Sequence, residues 1–271
     1  MENSFKDALY AAIDKDGLVV VLTGAGISAE SGIPTFRGPE GYWTVGSREY
    51  RPEEMATHTM FARDPEVVWQ WYLYRIGICR AAEPNAGHLA VLKMEKQLQN
   101  RFLLITQNVD GLHLRAGNSV ERTFQIHGNI ETVRCSASCT HMTYPLPNSV
   151  QIKTKDESLS DTDRESLKCP ECASWLRPHV LWFDECYNED YYRFNSSLGA
   201  AAKADLLLTV GTSGATNLPM QVGMIVAQRG GVIVDVNPDS NPFSAIAEQS
   251  GGFFRQGPAG DILPEIVDVL S

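Results

Sequence analysis

The stretch that decides the fold is residues 17–26, which read Gly-Leu-Val-Val-Val-Leu-Thr-Gly-Ala-Gly. Its apolar residues run on without alternation, which is typical of a strand buried on both faces of a parallel sheet. Gly24 and Gly26 then permit a tight turn, and they let a pyrophosphate approach the backbone closely. An ordinary tight turn would use the same glycines, and the next one, Gly32, comes too late for the usual dinucleotide fingerprint. The turn alone leaves both interpretations open.

Further short apolar runs predict more buried strands, at residues 102–105, 205–210 and 231–236. Residues with helical spacing lie before, between and after these runs, at 5–13, 86–98, 191–203, 219–228 and 262–270. Strands that alternate with helices in this way predict an α/β fold with a Rossmann-like, doubly wound parallel sheet. Ligands of such sheets bind at the carboxyl ends of the strands.

Two stretches interrupt the alternation, and we expect them to pack together as a smaller second domain. Residues 47–84 carry aromatic residues at helical spacing and form a predicted helical module. Residues 134–177 hold four cysteines and form a predicted zinc-binding module. The Rossmann-like domain would then comprise residues 1–46, 85–133 and 178–271. The cleft between the two domains is the expected site.

Composition narrows the function classes. The chain has 271 residues, a net charge of −10 and a pI near 5.1. Because it has no run of lysines or arginines, we expect no direct nucleic-acid partner. Residues 1–7 lack a secretory signal and the apolar runs are too short to span a bilayer, so we expect no membrane partner and a cytoplasmic location. In a reducing cytoplasm, cysteines serve as metal ligands more often than in disulfides.

Four of the six cysteines stand in two pairs, Cys135-x₃-Cys139 and Cys169-x₂-Cys172. Two such pairs supply four thiolates, which suit a closed, tetrahedral and therefore structural Zn²⁺ site. His141 follows the first pair closely and is an alternative ligand, although the four-cysteine set is favoured.

Several motifs follow one another along the chain, namely Gly24–Arg37, Thr106–His113, His127-Gly128, the cysteine pairs, Arg177–Phe183 and Gly211–Ser213. Together and in this order, they resemble the sirtuin family of NAD-dependent protein lysine deacylases. The resemblance implies an enzyme of the transferase type, with NAD as co-substrate, a structural Zn²⁺ and acylated lysine side chains of proteins as partners. The acyl oxygen would attack the nicotinamide ribose, and the products would be nicotinamide, free lysine and 2′-O-acyl-ADP-ribose.

The resemblance also assigns roles to individual residues. His127 would be the catalytic base, which suits a histidine because its pKa lies near neutrality, and Asn108 would act beside it. A lone histidine before a glycine is more often a packing or capping residue, so the resemblance is what selects His127. Packing roles are expected for His58, His88, His113 and His179. The implied NAD contacts are Gly24, Ala25, Gly26, Ser28, Phe36, Arg37, Gln107, Asn108, Asp110, Gly211, Thr212, Ser213, Asn237 and Ala259.

The resemblance also identifies residues around the acyl-lysine. Leu181 and Phe183 would contact the substrate, on a strand where Asp184 replaces the family's usual glycine. Tyr72 and Arg75 are three residues apart, hence on one helical face, and resemble the pair of sirtuins that prefer succinyl, malonyl or glutaryl lysine. Arginine binds a carboxylate through two parallel hydrogen bonds, and tyrosine can add a third. We therefore predict removal of succinyl or malonyl groups as well as acetyl groups.

Met60 opposes this preference, because acidic-acyl sirtuins have a smaller residue there. A methionine can move aside, but it can also narrow the tunnel enough to favour acetyl. The alternatives are a deacetylase without acidic-acyl preference, with Arg75 merely exposed on an amphipathic helix, and an NAD hydrolase or mono-ADP-ribosyltransferase. The cysteine module and the Arg177–Phe183 strand argue against a plain hydrolase. A non-catalytic NAD-binding module would not need His127.

Overall fold

The computed structural model describes residues 3–13, 17–34, 43–45, 48–155 and 157–270. Two predicted NAD contacts, Phe36 and Arg37, lie outside the described residues. Within the described part of the chain, no helix combines the length with the apolar character that crossing a bilayer requires.

Strands and helices alternate along most of the described chain. The strands are β1 (Leu18–Thr23), β2 (Trp43–Val45), β3 (Arg48–Tyr50), β4 (Phe102–Thr106), β5 (Thr123–Gln125), β6 (Gly128–Cys135), β7 (Thr143–Pro145), β8 (Leu176–Val180), β9 (Ala204–Val210), β10 (Val232–Asn237) and β11 (Phe253–Gln256). The helices are α1 (Asn3–Ile13), α2 (Gly26–Ala29), α3 (Pro52–Met55), α4 (His58–Arg63), α5 (Pro65–Ala81), α6 (Ala86–Leu98), α7 (Leu112–Ala116), α8 (Asp161–Ser166), α9 (Glu189–Tyr192), α10 (Phe194–Ala201), α11 (Asn217–Gln228), α12 (Pro242–Gln249) and α13 (Ala259–Val269).

Six strands form one parallel sheet, in the order β11-β10-β9-β1-β4-β5. This confirms the predicted fold class. The first strand of this sheet, β1, lies near its centre. The next two strands, β4 and β5, are added on one side of β1, and β9, β10 and β11 are added on the other side. The loops that follow β1 and β9 therefore border the crevice in which doubly wound sheets bind their ligands.

Two apolar layers cover the sheet, because alternate residues of a strand point to opposite faces. Val19 and Val21 of β1 pack into the layer formed with α1, α6 and α13. Val20 and Leu22 pack into the opposite layer, formed with α10, α11 and α12. The unbroken apolar run of β1 is the consequence of this double burial.

The predicted single helix at 191–203 is wrong, because two helices, α9 and α10, meet at Arg193. Arg193 has φ 53° and ψ 37°, a left-handed conformation in which a right-handed helix cannot continue. The first turn of α10 has its own cap, since the Glu189 carboxylate accepts hydrogen bonds from the backbone N–H of Ser196 (3.0 Å) and from its hydroxyl. Apolar spacing does not reveal such a cap.

The helical module and the zinc-binding module share one hydrophobic core, apart from the two layers on the large sheet. Trp69 of α5 donates from Nε1 to the carbonyl of Leu176 on β8 (2.8 Å), and Arg164 pairs with Glu66 across the two modules. The antiparallel strands β6 and β8 connect this core to the large sheet. The predicted domain boundaries at 133/134 and 177/178 fall inside these two strands. We retain the two-domain division as a proposal that the separate core supports.

Backbone meets backbone where the loops after β1 and β9 pass each other. Gly24 and Gly26 donate from their N–H groups to the carbonyls of Val210 (2.9 Å) and Gly211 (2.8 Å). A Cβ on Gly26 would lie 2.6 Å from the Cα of Gly211, well inside van der Waals contact. The glycines that the sequence associates with a phosphate thus also let the two loops touch.

We expect Gly26→Ala to lower the free energy of unfolding by about 1–3 kcal/mol, the usual cost of overpacking a closed contact. Gly199 in α10 is the matched control, because a Cβ there meets no described atom within 4 Å. Gly199→Ala should raise the free energy of unfolding by roughly 0.5–1 kcal/mol, since alanine is the better helix former. Denaturant titration measures both values. A neutral or stabilising Gly26→Ala would contradict the close contact.

Candidate active site

Gln107, directly after β4, connects the loops that follow β1 and β9. Its backbone N–H donates to the carbonyl of Thr23 (3.0 Å). Its side-chain amide donates to the Thr212 hydroxyl (2.9 Å) and accepts from the Thr216 hydroxyl (2.8 Å). The carboxyl ends of three neighbouring strands are thereby held together at the switch point of the sheet.

Asn108 and Asp110 are buried next to Gln107, and they bond to the loop after β1 or to the short helix α2 that follows it. The Asn108 amide donates to the carbonyl of Gly24 (3.0 Å) and to the Ser28 hydroxyl (3.1 Å). Asp110 accepts from the Ser28 hydroxyl (2.7 Å) and from the backbone N–H of Leu112 (2.9 Å). Burial raises the pKa of the Asp110 carboxyl, and the two hydrogen bonds oppose that shift. The structure brings these predicted contacts together in one polar group.

Three more of the predicted NAD contacts lie farther along the same edge, at the end of β10 and after β9 and β11. The buried Asn237 donates from its amide to Asp235 (2.6 Å), and its carbonyl accepts from the N–H of Gly257 (2.9 Å). Ala259 is buried at the start of α13, two residues after Gly257, whereas Ser213 is exposed after β9. The predicted contacts therefore extend from the centre of the sheet to its β11 side.

His127, two residues after β5, is held at both ring nitrogens. Nδ1 lies 2.9 Å from the backbone carbonyl of Gln107, and Nε2 lies 2.7 Å from the hydroxyl of Tyr187. A carbonyl can only accept, so Nδ1 carries the proton and Nε2 is the acceptor. Burial lowers the pKa of His127 to about 4, so the ring is neutral near pH 7. Sequence reasoning missed Tyr187, because it lies in a loop where no spacing pattern marks it.

Two histidines with predicted packing roles are buried behind this group. The rings of His88 and His113 lie 4.8 Å apart, and His113 bonds through Nε2 to the Thr23 hydroxyl (3.0 Å). Burial lowers the pKa of each, so both are neutral near pH 7. The bond from His113 supports the end of β1 from within the core.

The strand segment after β8 passes close to His127. The N–H of Leu181 donates to the carbonyl of His127 (2.9 Å), and Phe183 is 57% exposed. Trp182 between them is buried and donates from Nε1 to the hydroxyl of Tyr72 (2.8 Å). One segment thus joins the predicted base to α5, the helix that also carries Arg75.

Asp184, which stands where the resemblance implies a glycine, caps α4. Its carboxylate accepts hydrogen bonds from the N–H groups of His58 (2.7 Å) and Thr59 (3.0 Å) and from the Thr59 hydroxyl (3.0 Å). Burial alone would raise the pKa of Asp184, but these bonds outweigh it, so the pKa lies below its ordinary value. Asp184 therefore ties the segment after β8 to the helix that carries Met60, whose side chain is buried.

Four thiols converge at the far end of β6. The group consists of Cys135, Cys139, Cys169 and Cys172, and their sulfur atoms all lie within 4.8 Å of one another. The Cys135–Cys172 and Cys139–Cys169 sulfur distances are 3.5 and 3.6 Å, close to the roughly 3.8 Å expected for thiolates about 2.3 Å from a tetrahedral Zn²⁺. Within the described part of the chain, His141 is not a member of the group. The four-cysteine set therefore fits a structural zinc ion.

Cys169→Ser should lose the bound metal and lower the melting temperature, because binding of a structural zinc is coupled to folding. Elemental analysis of the purified protein should find about one Zn²⁺ per chain in the wild type, as a four-thiolate site requires. Cys186→Ser is the matched control, since Cys186 is exposed and lies outside the group. Metal retained in full by Cys169→Ser would speak against this ligand set.

Comparisons with known proteins agree with this geometry. A profile described as Sir2 family matches residues 24–217. An NAD-dependent protein deacylase of Leptospira interrogans is 39% identical over 254 residues, which cover 94% of this chain and 93% of the relative. One of Pyrococcus furiosus is 40% identical over 256 residues, covering 94% of each chain.

Solved structures are similar over almost the whole chain. The crystal structure of a Sir2 homolog–NAD complex has a TM-score of 0.80 at 36% identity, covering 99% of this chain and 93% of that one. A complex described as Sir2-p53 peptide-NAD⁺ has a TM-score of 0.76 at 27% identity, covering 99% and 98%.

Proposed function

The chain belongs to the Sir2 family and is an NAD-dependent protein deacylase, and from this premise we propose which residues act and which acyl groups are removed. His127 is the base, and the acyl groups are succinyl and malonyl as well as acetyl. The products are free lysine, nicotinamide and 2′-O-acyl-ADP-ribose. The state of His127 is the observation that carries the proposal: a neutral imidazole with Nε2 as acceptor, beside Gln107 and at the carboxyl edge of the sheet.

This arrangement suits a general base. Bound NAD supplies the ribose carbon that the acyl oxygen attacks and the ribose hydroxyls near it. His127 accepts a hydroxyl proton at Nε2, and the Gln107 carbonyl then stabilises the imidazolium by accepting from Nδ1–H. Asn108 and Asp110 line the same crevice and bind the nicotinamide end, because their amide and carboxylate groups can pair with a carboxamide and with ribose hydroxyls.

Replacing the base tests the reaction. His127→Asn should lower kcat/KM for an acylated peptide by about 10²–10⁴-fold, the usual contribution of a general base. His141→Asn is the control, since this exposed histidine lies outside the crevice and outside the thiol group. Mass spectrometry of the products follows 2′-O-acyl-ADP-ribose. Free ADP-ribose alone would point to an NAD hydrolase, and ADP-ribose on protein to a transferase.

Two side chains of α5 support a preference for acidic acyl groups. Tyr72 is buried, and its hydroxyl accepts from Trp182; among the described residues none accepts its own proton. Burial raises the pKa of Tyr72, so the hydroxyl remains a donor at neutral pH. The half-buried Arg75 guanidinium lies 5.2 Å from the centre of the Trp71 ring, where burial lowers its pKa. A donor and a partly desolvated cation thus lie three residues apart on one helical face.

Desolvation decides how much this pair contributes. A hydrogen bond to a charged group contributes roughly 1.5–3 kcal/mol, and water weakens it at an exposed site. An acetyl group has no carboxylate and gains none of this. The opposing feature is Met60, which is buried in the same core as Tyr72 and Trp182 and can limit the length of the acyl chain.

Arg75→Met should lower kcat/KM for a succinyl-lysine peptide by roughly 30- to 150-fold, the equivalent of about 2–3 kcal/mol, and change the value for the acetyl-lysine peptide little. Arg80→Met is the matched control on the same helix, because the Arg80 side chain pairs with Glu131 at the surface (2.6 Å). Steady-state kinetics on both peptides give the selectivity ratio of each variant. If Arg75→Met leaves this ratio unchanged, the pair does not select the acyl group, and Met60 becomes the residue to vary.

A further inference from the structure

The atom of His127 that would accept a proton is already hydrogen-bonded. The Tyr187 hydroxyl lies 2.7 Å from Nε2, and the two rings lie 5.8 Å apart at an interplanar angle of 32°. Tyr187 belongs to the loop between β8 and α9, and none of the motifs in the sequence includes it.

The direction of this hydrogen bond follows from the other side of the ring. The Gln107 carbonyl takes the Nδ1 proton, so a neutral His127 has only a lone pair at Nε2. Burial raises the pKa of Tyr187, which keeps its hydroxyl protonated. Tyr187 is therefore the donor and Nε2 the acceptor.

Further contacts hold the two rings in place. The Gln107 carbonyl accepts from Nδ1 of His127 (2.9 Å), and the side-chain oxygen of Gln107 accepts from the Thr216 hydroxyl (2.8 Å). A chain of hydrogen bonds thus runs from Tyr187 through His127 and Gln107 to Thr216, and it joins the loops after β8, β5, β4 and β9. The Tyr187 ring also stacks on Phe194 at 6.2 Å. This is a fixed arrangement rather than a chance contact of one surface side chain.

We propose that Tyr187 is a positioning residue that holds Nε2 of His127, and that a ribose hydroxyl of NAD replaces the tyrosine hydroxyl when the dinucleotide binds. The inference rests on the proposed role of His127. Because one hydroxyl is exchanged for another, Nε2 remains an acceptor throughout, and the Nδ1–H tautomer is fixed before NAD arrives. The exchange has a consequence for affinity, since a ligand that carries this ribose must first displace Tyr187.

Nuclear magnetic resonance of the ligand-free protein tests the hydrogen bond itself. With ¹⁵N-labelled histidine, Tyr187→Phe should shift the Nε2 signal of His127 toward that of an unbonded, unprotonated nitrogen, while Nδ1 stays protonated. Tyr191→Phe is the control, because the Tyr191 hydroxyl donates to the carbonyl of His141 (3.2 Å) instead. An unchanged Nε2 signal in Tyr187→Phe would overturn the proposal, whatever the role of His127.

Calorimetry with two ligands tests the displacement. ADP-ribose carries the second ribose and is not turned over, whereas ADP lacks that ribose. Tyr187→Phe should bind ADP-ribose about 2- to 10-fold more tightly, since one hydrogen bond no longer has to be broken, and should bind ADP as the wild type does. Weaker or unchanged binding of ADP-ribose would overturn the proposal. Loss of acyl transfer in His127→Asn tests the base separately, so the two ideas can fail independently.

Discussion

The site depends on a contact between two loops that no side chain interrupts. Gly26 and Gly211 approach so closely that a single Cβ on either would overlap the other's backbone. This contact sets the separation of the loops after β1 and β9. Asn108 and Gln107, from the strand on the other side of β1, then bond to Gly24 and to Thr212 respectively. The positions of these polar side chains therefore depend on a contact between backbone atoms, which cannot change by side-chain rotation.

Burial, rather than ion pairing, controls the protonation states in the crevice. Desolvation is the first cause of the shifted pKa of His127, of Asp110 and of Tyr187. It keeps the imidazole neutral and the phenol protonated, which are the forms that can accept and donate. Charged neighbours add smaller contributions, such as those of Arg115 and Arg75 to the pKa of Asp110. The neutral form of His127 therefore follows from the burial that the fold imposes on its ring.

The parts of the structure that could be predicted are those that repeat a pattern. The unbroken run of β1 predicted a strand buried on both faces, and the apolar spacing of α6 predicted its bounds, 86–98. Cysteine spacing predicted the thiol group, because two cysteines can bind one metal ion from the same turn only at a short spacing. The break at Arg193 and the bond from Tyr187 could not be predicted. The break is a left-handed backbone conformation at one residue, and the bond joins two loop residues that are 60 positions apart in the sequence. No period in the sequence records either feature.

The zinc site and the predicted base lie at opposite ends of one strand. Gly128 begins β6 directly after His127 and pairs with Val180, whereas Cys135 ends β6 and pairs with Leu176. Because β6 bulges between Asn129 and Val133, the two ends are separated by only four residues of β8, which is about 13 Å at roughly 3.3 Å per residue. At that distance the metal cannot polarise a reacting group, so its influence must pass through the backbone. Gly128 pairs with Val180 on β8, and its φ of +85° and a would-be Cβ 1.9 Å from the His179 carbonyl require glycine there. The pairing of β6 with β8, closed by the thiol group at one end, thus fixes the position of His127 at the other.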